Sequence, residues 1–265
     1  METTEPQYVI GYKAFNSYMK CNYFQYEVGK TYTMNENDVR LCVSGFHFCM
    51  IPIDVLLYYD KDSNFAIIKA SGKIEHGYDK SVCSQITIEK LITLDELHQL
   101  TNGKFIRNNG TTEFYQYYQN GELHRLDGPA IEVNGNKYWY KDGELHREDG
   151  PAVEFANGSK EWHRDGKYYR EDGPAMECAN GTKIWFENGE RHRLDGPAIE
   201  YANGGKEWFK NGKRHRLDGP AIEQADGHKE WFKDGERHRE DGPAIEWANG
   251  TKEWYKNGML IIEKI

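Results

Sequence analysis

Three residues in one short string have side chains of types that can bind zinc. Cys42, His47 and Cys49 stand in the sequence LCVSGFHFC, and thiolates and imidazoles are common ligands of Zn²⁺. Strand alternation would place His47 and Cys49 on the same face. The string also fits two buried cysteines beside a packed histidine, and on balance we expect no metal and no cofactor. A structural zinc site would need a fourth ligand, and its remote candidates are Cys21, Cys83 and His76.

A second string of reactive residue types, His-Arg-x-Asp, recurs along the second half of the chain, for example at His192, Arg193 and Asp195. It could support a proton relay or a line of metal ligands. Comparison among the copies argues against both, because Tyr169 replaces the histidine in one copy and Ile261 replaces it in the last. We therefore predict histidines that pack beside tryptophan and form hydrogen bonds. Nothing in this half of the chain predicts catalysis.

These strings belong to an internal repeat. A fixed period of 23 residues indicates a repeat array, and we predict that its tryptophans form the structural core, since each ring buries much apolar area. The tryptophans are Trp139, Trp162, Trp185, Trp208, Trp231 and Trp254. The triplet Asp-Gly-Pro recurs with nearly the same period, beginning at Asp127, Asp149, Asp172, Asp195, Asp218 and Asp241. Proline lacks a ladder donor, so each triplet is expected to reverse the chain between repeats.

The turn signals within a repeat predict a register. Asn203-Gly204 and Asn211-Gly212 are typical of two-residue type I′ hairpins, so each repeat should be a short antiparallel meander. With these turns, Ile199 lies opposite Trp208, and Trp208 lies opposite His215, on one apolar face. The other face would be ionic and would carry Glu200, Glu207 and Arg216.

The string from Trp208 to His215, WFKNGKRH, resembles the W-x-x-N-G-x-x-H core of MORN repeats. The resemblance covers about residues 110 to 258, and it departs at Arg216, where MORN units usually have glycine, and at the added proline. The Asp-Gly-Pro variant is similar to repeats of giant-virus and phage proteins and of bacterial YwqK-type proteins. It implies an elongated, hairpin-stacked sheet used for protein association, sometimes self-association, with lipid binding proposed for some members. Where the family has catalytic function, an attached domain carries it.

Residues 1–100 lack the repeat and predict a small α+β domain. Short apolar runs predict strands near Tyr8 to Tyr12, Gly45 to Cys49, Phe65 to Ala70 and Ser84 to Ile88. A helix is expected from Ile53 to Tyr59, just after Pro52. A second one should begin near Thr93, where Thr93 and Glu96 form a capping box.

The junction, residues 101–120, contains Tyr117 and Tyr118 at the place that Trp and an aromatic residue take in later repeats. It is therefore expected to be an imperfect capping repeat. Residues 121–265 form the array. The predicted fold is mainly β, with a small α+β N-terminal domain followed by an elongated MORN-like array of stacked antiparallel β-hairpins.

The N-terminal segment supports two resemblances. The strings GYKAF, FQYEVGKTY and GFHFCMIPIDVLLYY resemble a small uncharacterised domain of tailed-phage and giant-virus proteins over about residues 8 to 97, which implies no established activity. The order GFHFC, helix, FAIIKASG is similar to the strand-helix-strand stretch of ADP-ribosyltransferases. That resemblance would make Glu89 the catalytic glutamate, but no upstream residue matches the family's ribose-binding His or Arg.

Composition limits the partners. The net charge is −9, with basic and acidic residues interleaved, so no basic stripe predicts nucleic-acid or anionic-membrane binding. The five cysteines have irregular spacings that suit a reducing cytosol. No leader-like segment and no run of about 20 apolar residues is present, so we expect a soluble, cytoplasmic protein.

We predict a non-enzymatic binding or scaffold protein, of viral origin and acting in the host cytoplasm, whose array presents an extended surface to a protein partner. The residues predicted to contact the partner are Phe209, Arg214, Phe232, Arg237 and Tyr255. One alternative is an ADP-ribosyltransferase-like or related nucleotide enzyme in residues 8–97, with the array as a docking arm. Another is a self-assembling structural protein.

Overall fold

The structure is a computed structural model that describes residues 7–108 and 112–261. The chain divides into two compact units, residues 1–134 and residues 135–265. The first unit thus includes the junction and the first Asp-Gly-Pro triplet, whereas the sequence predicted domain boundaries near residues 100 and 120.

An antiparallel sheet organises the N-terminal part of the first unit. Its strands run in the order β1, β6, β7, β4, with β5 pairing with a further stretch of β7 and with β2 and β3 forming a separate hairpin. The four predicted strands are confirmed, and two of them are much longer than predicted because β6 and β7 form one long hairpin. The strands are β1 Val9–Phe15, β2 Lys20–Cys21, β3 Phe24–Gln25, β4 Thr31–Thr33, β5 Phe46–Phe48, β6 Asn64–His76 and β7 Ser81–Ile92.

The α-helix α1, Leu94–Leu100, follows β7 and starts as predicted. The Thr93 backbone N–H donates to Glu96 Oε2 at 2.8 Å, and the Glu96 N–H donates to Thr93 Oγ1 at 3.1 Å, which is a complete capping box. The other predicted helix is wrong in type. Pro52–Leu57 is a 3-10 helix, in which the Tyr58 N–H bonds the Val55 carbonyl three residues back. A further 3-10 turn spans Glu36–Asp38.

Two apolar clusters hold this part together. One cluster lies on the sheet and contains Phe15, Phe48 and Ile68, each 2% exposed or less. The other joins the 3-10 helix and α1 to the sheet through Val55 and Leu97, which are similarly buried. Removing these side chains from water supplies most of the driving force for folding the domain.

The junction forms a second sheet within the first unit. The central strand β9 pairs with β8, β10 and β11. A buried polar network connects this sheet to the 3-10 helix: Arg107 on β8 makes two hydrogen bonds to Asp54, at 2.5 and 2.7 Å. That contact explains why the junction belongs to the same compact unit as the N-terminal sheet. The strands are β8 Gly103–Asn108, β9 Glu113–Gln119, β10 Glu122–Leu123 and β11 Ile131–Val133.

The second unit is the array of stacked antiparallel hairpins that the sequence predicted, and the chain is mainly β. Each repeat adds two strands to one antiparallel sheet, here called sheet strands, and a separate two-stranded hairpin, here called a turn hairpin. The sheet strands, in spatial order, are Asn136–Tyr138, Val153–Glu154, Lys160–Glu161, Met176–Glu177, Lys183–Ile184, Ile199–Glu200, Lys206–Glu207, Ile222–Glu223, Lys229–Glu230, Ile245–Glu246 and Lys252–Glu253.

The turn hairpins pair neighbouring dipeptides across a two-residue turn. They are Tyr140–Lys141 with Glu144–Leu145, His163–Arg164 with Lys167–Tyr168, Phe186–Glu187 with Glu190–Arg191, Phe209–Lys210 with Lys213–Arg214, Phe232–Lys233 with Glu236–Arg237, and Tyr255–Lys256 with Met259–Leu260. Asn211 and Gly212 both have positive φ, 49° and 72°, which is the predicted type I′ geometry. Trp208 lies opposite His215, as expected, with a backbone hydrogen bond of 3.1 Å.

The register predicted for the sheet strands is wrong by one residue. Ile199 lies opposite Glu207 instead of Trp208. Only Gly204 of the Asn203-Gly204 pair has positive φ, 91°, and Tyr201 bonds Gly205 across a three-residue loop. Such loops combine a type I turn with a glycine bulge, and the extra loop residue shifts the pairing.

Candidate functional site

Five of the six tryptophans of the array carry a stacked arginine. The Arg216 guanidinium carbon lies 3.9 Å from the centre of the Trp208 ring, well inside the range of a cation–π contact. Tyr117 takes the tryptophan position of the imperfect first repeat, with Arg125 stacked on it at 4.2 Å, as the sequence spacing predicted. The other stacked pairs, at 3.9 to 4.1 Å, are Arg147 on Trp139, Arg170 on Trp162, Arg193 on Trp185 and Arg239 on Trp231.

The same arginine forms hydrogen bonds to the Asp-Gly-Pro triplet, where the chain reverses direction; this turn is here called a corner. Arg216 Nε donates to Asp218 Oδ1 at 3.0 Å, and Nη1 donates to the Pro220 carbonyl at 3.2 Å. Nη1 also donates to Glu223 Oε1 at 2.9 Å. A Cβ on Gly219 would lie 2.8 Å from the guanidinium carbon, and Gly219 does not have positive φ. The corner therefore needs glycine because the arginine passes close over it.

The ionic face predicted from the sequence is paired differently. The sequence placed Arg216 on one face with Glu200 and Glu207, but Arg216 bonds Glu223 of the next repeat. Glu200 is bonded by Arg193 at 2.9 Å. Glu207 is bonded by Arg214, also at 2.9 Å. The one-residue change of register separates the two carboxylates that were expected to face each other.

The tryptophans are not the centre of the core. The five from Trp139 to Trp231 are half-buried, and Trp254 is 45% exposed. The fully buried position belongs to the alanine that follows each proline, such as Ala221. The aliphatic residue after it is also buried in four repeats, at Val153, Ile199, Ile222 and Ile245. The prediction that the six tryptophans form the core is corrected accordingly: they are partly exposed, and the five from Trp139 to Trp231 each carry an arginine on the ring.

The histidines bond the next repeat. His215 Nδ1 lies 3.1 Å from the backbone nitrogen of Asp234, the first residue of the following turn. His192 makes the same contact to Asn211 at 3.1 Å, and His238 makes it to Asn257 at 3.2 Å. This is the hydrogen-bonding role expected from the sequence, and it fixes the spacing of consecutive turn hairpins.

The predicted partner-contacting aromatics are not all accessible. Phe209 is 7% exposed and Phe232 is 8% exposed, because Phe209 packs on Ala198 and Ile199 beneath its turn hairpin. Their expected exposure is therefore wrong. Arg237 is half-buried and bonds Glu230 at 2.8 Å, as Arg214 bonds Glu207. Tyr255 is half-buried and donates to Glu253 at 2.9 Å.

The exposed feature that recurs in the array is the pair of residues before each Gly-Pro, here called the corner row. Asp195 and Asp218 have 84% exposed side chains, and Leu194 and Leu217 are 86% and 79% exposed. In the second unit the corner row comprises Glu148, Asp149, Glu171, Asp172, Leu194, Asp195, Leu217, Asp218, Glu240 and Asp241. It is a line of carboxylates with two leucines near its middle.

A groove of about 660 Å³ lies between two consecutive corners. Leu194 and Asp195 border it on one side, and Glu171 and Asp172 border it on the other, with Trp185 among the remaining lining residues. Sequence reasoning missed this feature. The signal was present in the exposed leucine of HRLDG, which stands where a solvated turn would ordinarily carry a polar residue.

The zinc candidates lie around one pocket of the first unit. Cys42, His47 and Cys49 all line it, but His47 Nε2 accepts the backbone N–H of Cys42 at 3.1 Å. Burial lowers the pKa of His47 and raises the pKa of Cys49 to about 12, which favours the neutral imidazole and the protonated thiol. Within residues 7–108 and 112–261, no group of three or more His, Cys, Asp and Glu side chains could hold a metal ion.

Glu89, the candidate catalytic glutamate, lies on the surface of β7. Its carboxylate pairs with Lys69 at 3.0 Å, and both side chains are about one-third exposed. It does not line the pocket formed by GFHFC and the 3-10 helix. An ordinary cross-strand ion pair describes its environment.

In the described part of the chain, no helix is long and apolar enough to cross a membrane. Comparison with curated proteins finds no match. Residues 9–100 match a family described as a domain of unknown function, DUF7666.

Proposed function

We propose that the array is a protein-binding surface and that the corner row recognises a partner with a basic face. The observation that carries the proposal is the exposure of this row. Its carboxylates and two leucines protrude into solvent, although arginine contacts hold the backbone of each Asp-Gly-Pro turn in place. Large apolar side chains held out in solvent within a polar rim are typical of interaction sites.

The charge of the corner row defines the partner's chemistry. The Arg216 guanidinium faces two carboxylates, Asp218 and Glu223, so the corner keeps a net negative charge. Arg147, Arg193 and Arg239 repeat this arrangement. Three corners of the second unit add a glutamate beside the aspartate. Two strands per repeat place successive corners about 10 Å apart. A segment with lysines or arginines along one side and an apolar residue between them would complement this row.

Two features support binding without a conformational change. The corners are held by cation–π contacts and by several hydrogen bonds each, so little ordering cost remains to be met on binding. Repeat arrays also offer extended surfaces whose length scales with repeat number. The resemblance of the repeats to those of giant-virus and phage proteins supports a viral scaffold or inhibitor acting in the host cytoplasm.

The proposal is tested by comparative affinity capture from bacterial and eukaryotic extracts. The full chain is compared with the double variant Leu194→Ser, Leu217→Ser and with Leu57→Ser, a control at a leucine that is 64% exposed outside the array. The expected result is a set of proteins held by the wild type and the control, lost by the double variant and released by salt. Equal retention by the double variant, or no retention by the wild type, contradicts the proposal.

Self-association through the array is a separate proposal, supported only by the resemblance to MORN repeats. Light scattering over a range of protein concentrations tests it. A particle that remains monomeric at the highest concentration would contradict it.

A further inference from the structure

The pocket around the zinc candidates has a volume of about 370 Å³ and is open to solvent. Its walls include the aromatic rings of Tyr12, Phe48 and Tyr58, and its polar lining includes Lys13, Cys21 and Tyr59. These three residues come from β1, β2 and the segment after the 3-10 helix. The array's proposed binding function does not involve this pocket.

The Cys21 thiol lies between two proton donors. The Tyr59 hydroxyl donates to Cys21 Sγ at 2.8 Å, and Lys13 Nζ donates to the same sulfur at 3.6 Å. An amine and a hydroxyl beside the sulfur supply the proton acceptor and the hydrogen-bond donor that a cysteine nucleophile requires. Cys21 is only half-buried, so its sulfur can be reached from the pocket.

Lys13 is a buried amine. It is 5% exposed, and Nζ donates to the His47 carbonyl at 2.7 Å. Lys13 makes no salt bridge to a carboxylate of the described residues, and burial lowers its pKa. Lys13 can therefore give up or take back the proton that it shares with Cys21.

The pocket favours an anion. Lys80 lines its outer part, with Nζ 4.9 Å from the centre of the Tyr58 ring. Two lysines and no aspartate or glutamate are among the described residues that line the cavity. A small molecule with a negative charge would be attracted by both lysines.

We propose that this pocket is a nucleophilic site in which Cys21 accepts the acyl group of a small anionic ester or thioester. The Cys21 thiolate forms a C–S bond to the carbonyl carbon while the bond to the leaving oxygen or sulfur breaks. The leaving atom keeps that electron pair and takes a proton from the Lys13 ammonium. The products are an acyl thioester on Cys21, a neutral Lys13 and the released alcohol or thiol.

Hydrolysis completes the cycle with water as co-reactant. The Lys13 amine removes a proton from water as the water oxygen attacks the thioester carbonyl. The C–S bond then breaks, which restores the Cys21 thiolate and the Lys13 ammonium and releases a carboxylic acid. The Tyr59 hydroxyl stabilises the thiolate as nucleophile and as leaving group.

Two activated esters of equal carbon number test the proposal on the full chain, namely the anionic para-nitrophenyl monoester of succinate and neutral para-nitrophenyl butyrate. Peptide mapping by mass spectrometry follows acylation of each cysteine. Cys21 is expected to react with the anionic ester at least about tenfold faster than Cys178, which is also half-buried but lies outside the pocket. The succinate-to-butyrate rate ratio should be higher at Cys21 than at Cys178.

The variants separate the roles of the three partners. Lys13→Met and Tyr59→Phe should lower the rate at Cys21 and leave Cys178 unchanged, whereas Lys80→Met should lower only the preference for the anionic ester. Cys83, which is fully buried, must stay unmodified in every variant as evidence of folding. Equal rates at Cys21 and Cys178 in the wild type, acylation of Cys42 in preference to Cys21, or an unchanged Cys21 rate in folded Tyr59→Phe would overturn the proposal.

Discussion

Arg107 and Asp54 form a two-pronged ion pair inside the first unit. Both guanidinium Nη atoms bond the carboxylate, at 2.5 and 2.7 Å, and the two side chains are only 6% and 5% exposed. Tyr118 and Gln116 complete the network, since the Tyr118 hydroxyl accepts from Arg107 at 3.1 Å and donates to Gln116 at 2.9 Å. The pair therefore fastens the junction sheet to the 3-10 helix of the N-terminal domain.

Breaking this pair should destabilise the first unit strongly. Arg107→Met leaves the buried Asp54 carboxylate without its partner and is expected to cost about 3–5 kcal/mol of unfolding free energy. Urea titration followed by circular dichroism measures the change. Arg40→Met, at an exposed arginine, is the control and should change stability by less than about 0.5 kcal/mol. A loss for Arg107→Met no larger than the control's would contradict the proposed role.

The close approach of Arg216 to Gly219 predicts coupled mutational effects. Gly219→Ala should destabilise the array by about 1–3 kcal/mol, because the added Cβ would meet the guanidinium. Arg216→Ala should cost about 1–2 kcal/mol through the lost cation–π contact and hydrogen bonds. In the double variant the clash disappears, so its loss should be smaller than the sum of the two. Additive losses, measured by tryptophan fluorescence in urea, would show that the guanidinium does not press on the glycine.

The role of the histidine that bonds the following turn can be tested with tyrosine, which replaces this histidine in one repeat. Tyr169 occupies the equivalent position in one repeat and bonds Glu171. His238 bonds the following turn at Asn257 and is followed by Glu240, the equivalent of Glu171. His238→Tyr should therefore cost less than His238→Ala, which loses a hydrogen bond and packing worth about 1–2 kcal/mol. Thermal unfolding of both variants makes the comparison. The reverse order would mean that the imidazole has a role that tyrosine does not share.

The cysteines of the first unit should differ strongly in their reactivity. Burial raises the pKa of both Cys49 and Cys83 to about 12, so their thiols remain protonated, and hence unreactive, well above neutral pH. Cys42 is exposed and should be alkylated by iodoacetamide much faster than either of them. Peptide mapping before and after denaturation checks this. Labelling of Cys49 or Cys83 in the folded protein at pH 9 would contradict their placement.

Local patterns were sufficient for much of the fold. The period of 23 residues, the Asp-Gly-Pro corners, the type I′ turns and the Thr93 capping box each depend on a few neighbouring residues, so they were predictable. The type of the Pro52–Leu57 helix was not predictable in this way. A segment of six residues adopts whichever helical hydrogen bonds its packing allows.

The residues of the array that are exposed were not predicted correctly. The sequence predicted an interaction surface in the array but selected Phe209 and Phe232, which are buried, and overlooked Leu194 and Leu217, which protrude. Phe209 lies in a turn hairpin whose register was predicted correctly, and it is buried because it packs on Ala198 and Ile199. The dipeptide Asn-Gly occurs both in a two-residue turn, as at Asn211, and at the end of a three-residue loop, as at Asn203.

By itself, the sequence determined that the chain carries a hairpin array with fixed corners, since turn geometry follows from backbone preferences of Asn, Asp, Gly and Pro. Only the tertiary structure determined which side chains are buried and which side chains contact each other. Tyr59 lies 38 residues after Cys21 and forms no motif with Cys21 or Lys13, yet sheet pairing and the 3-10 helix bring the three residues to one pocket. Such meetings depend on long-range pairing, which no local pattern encodes.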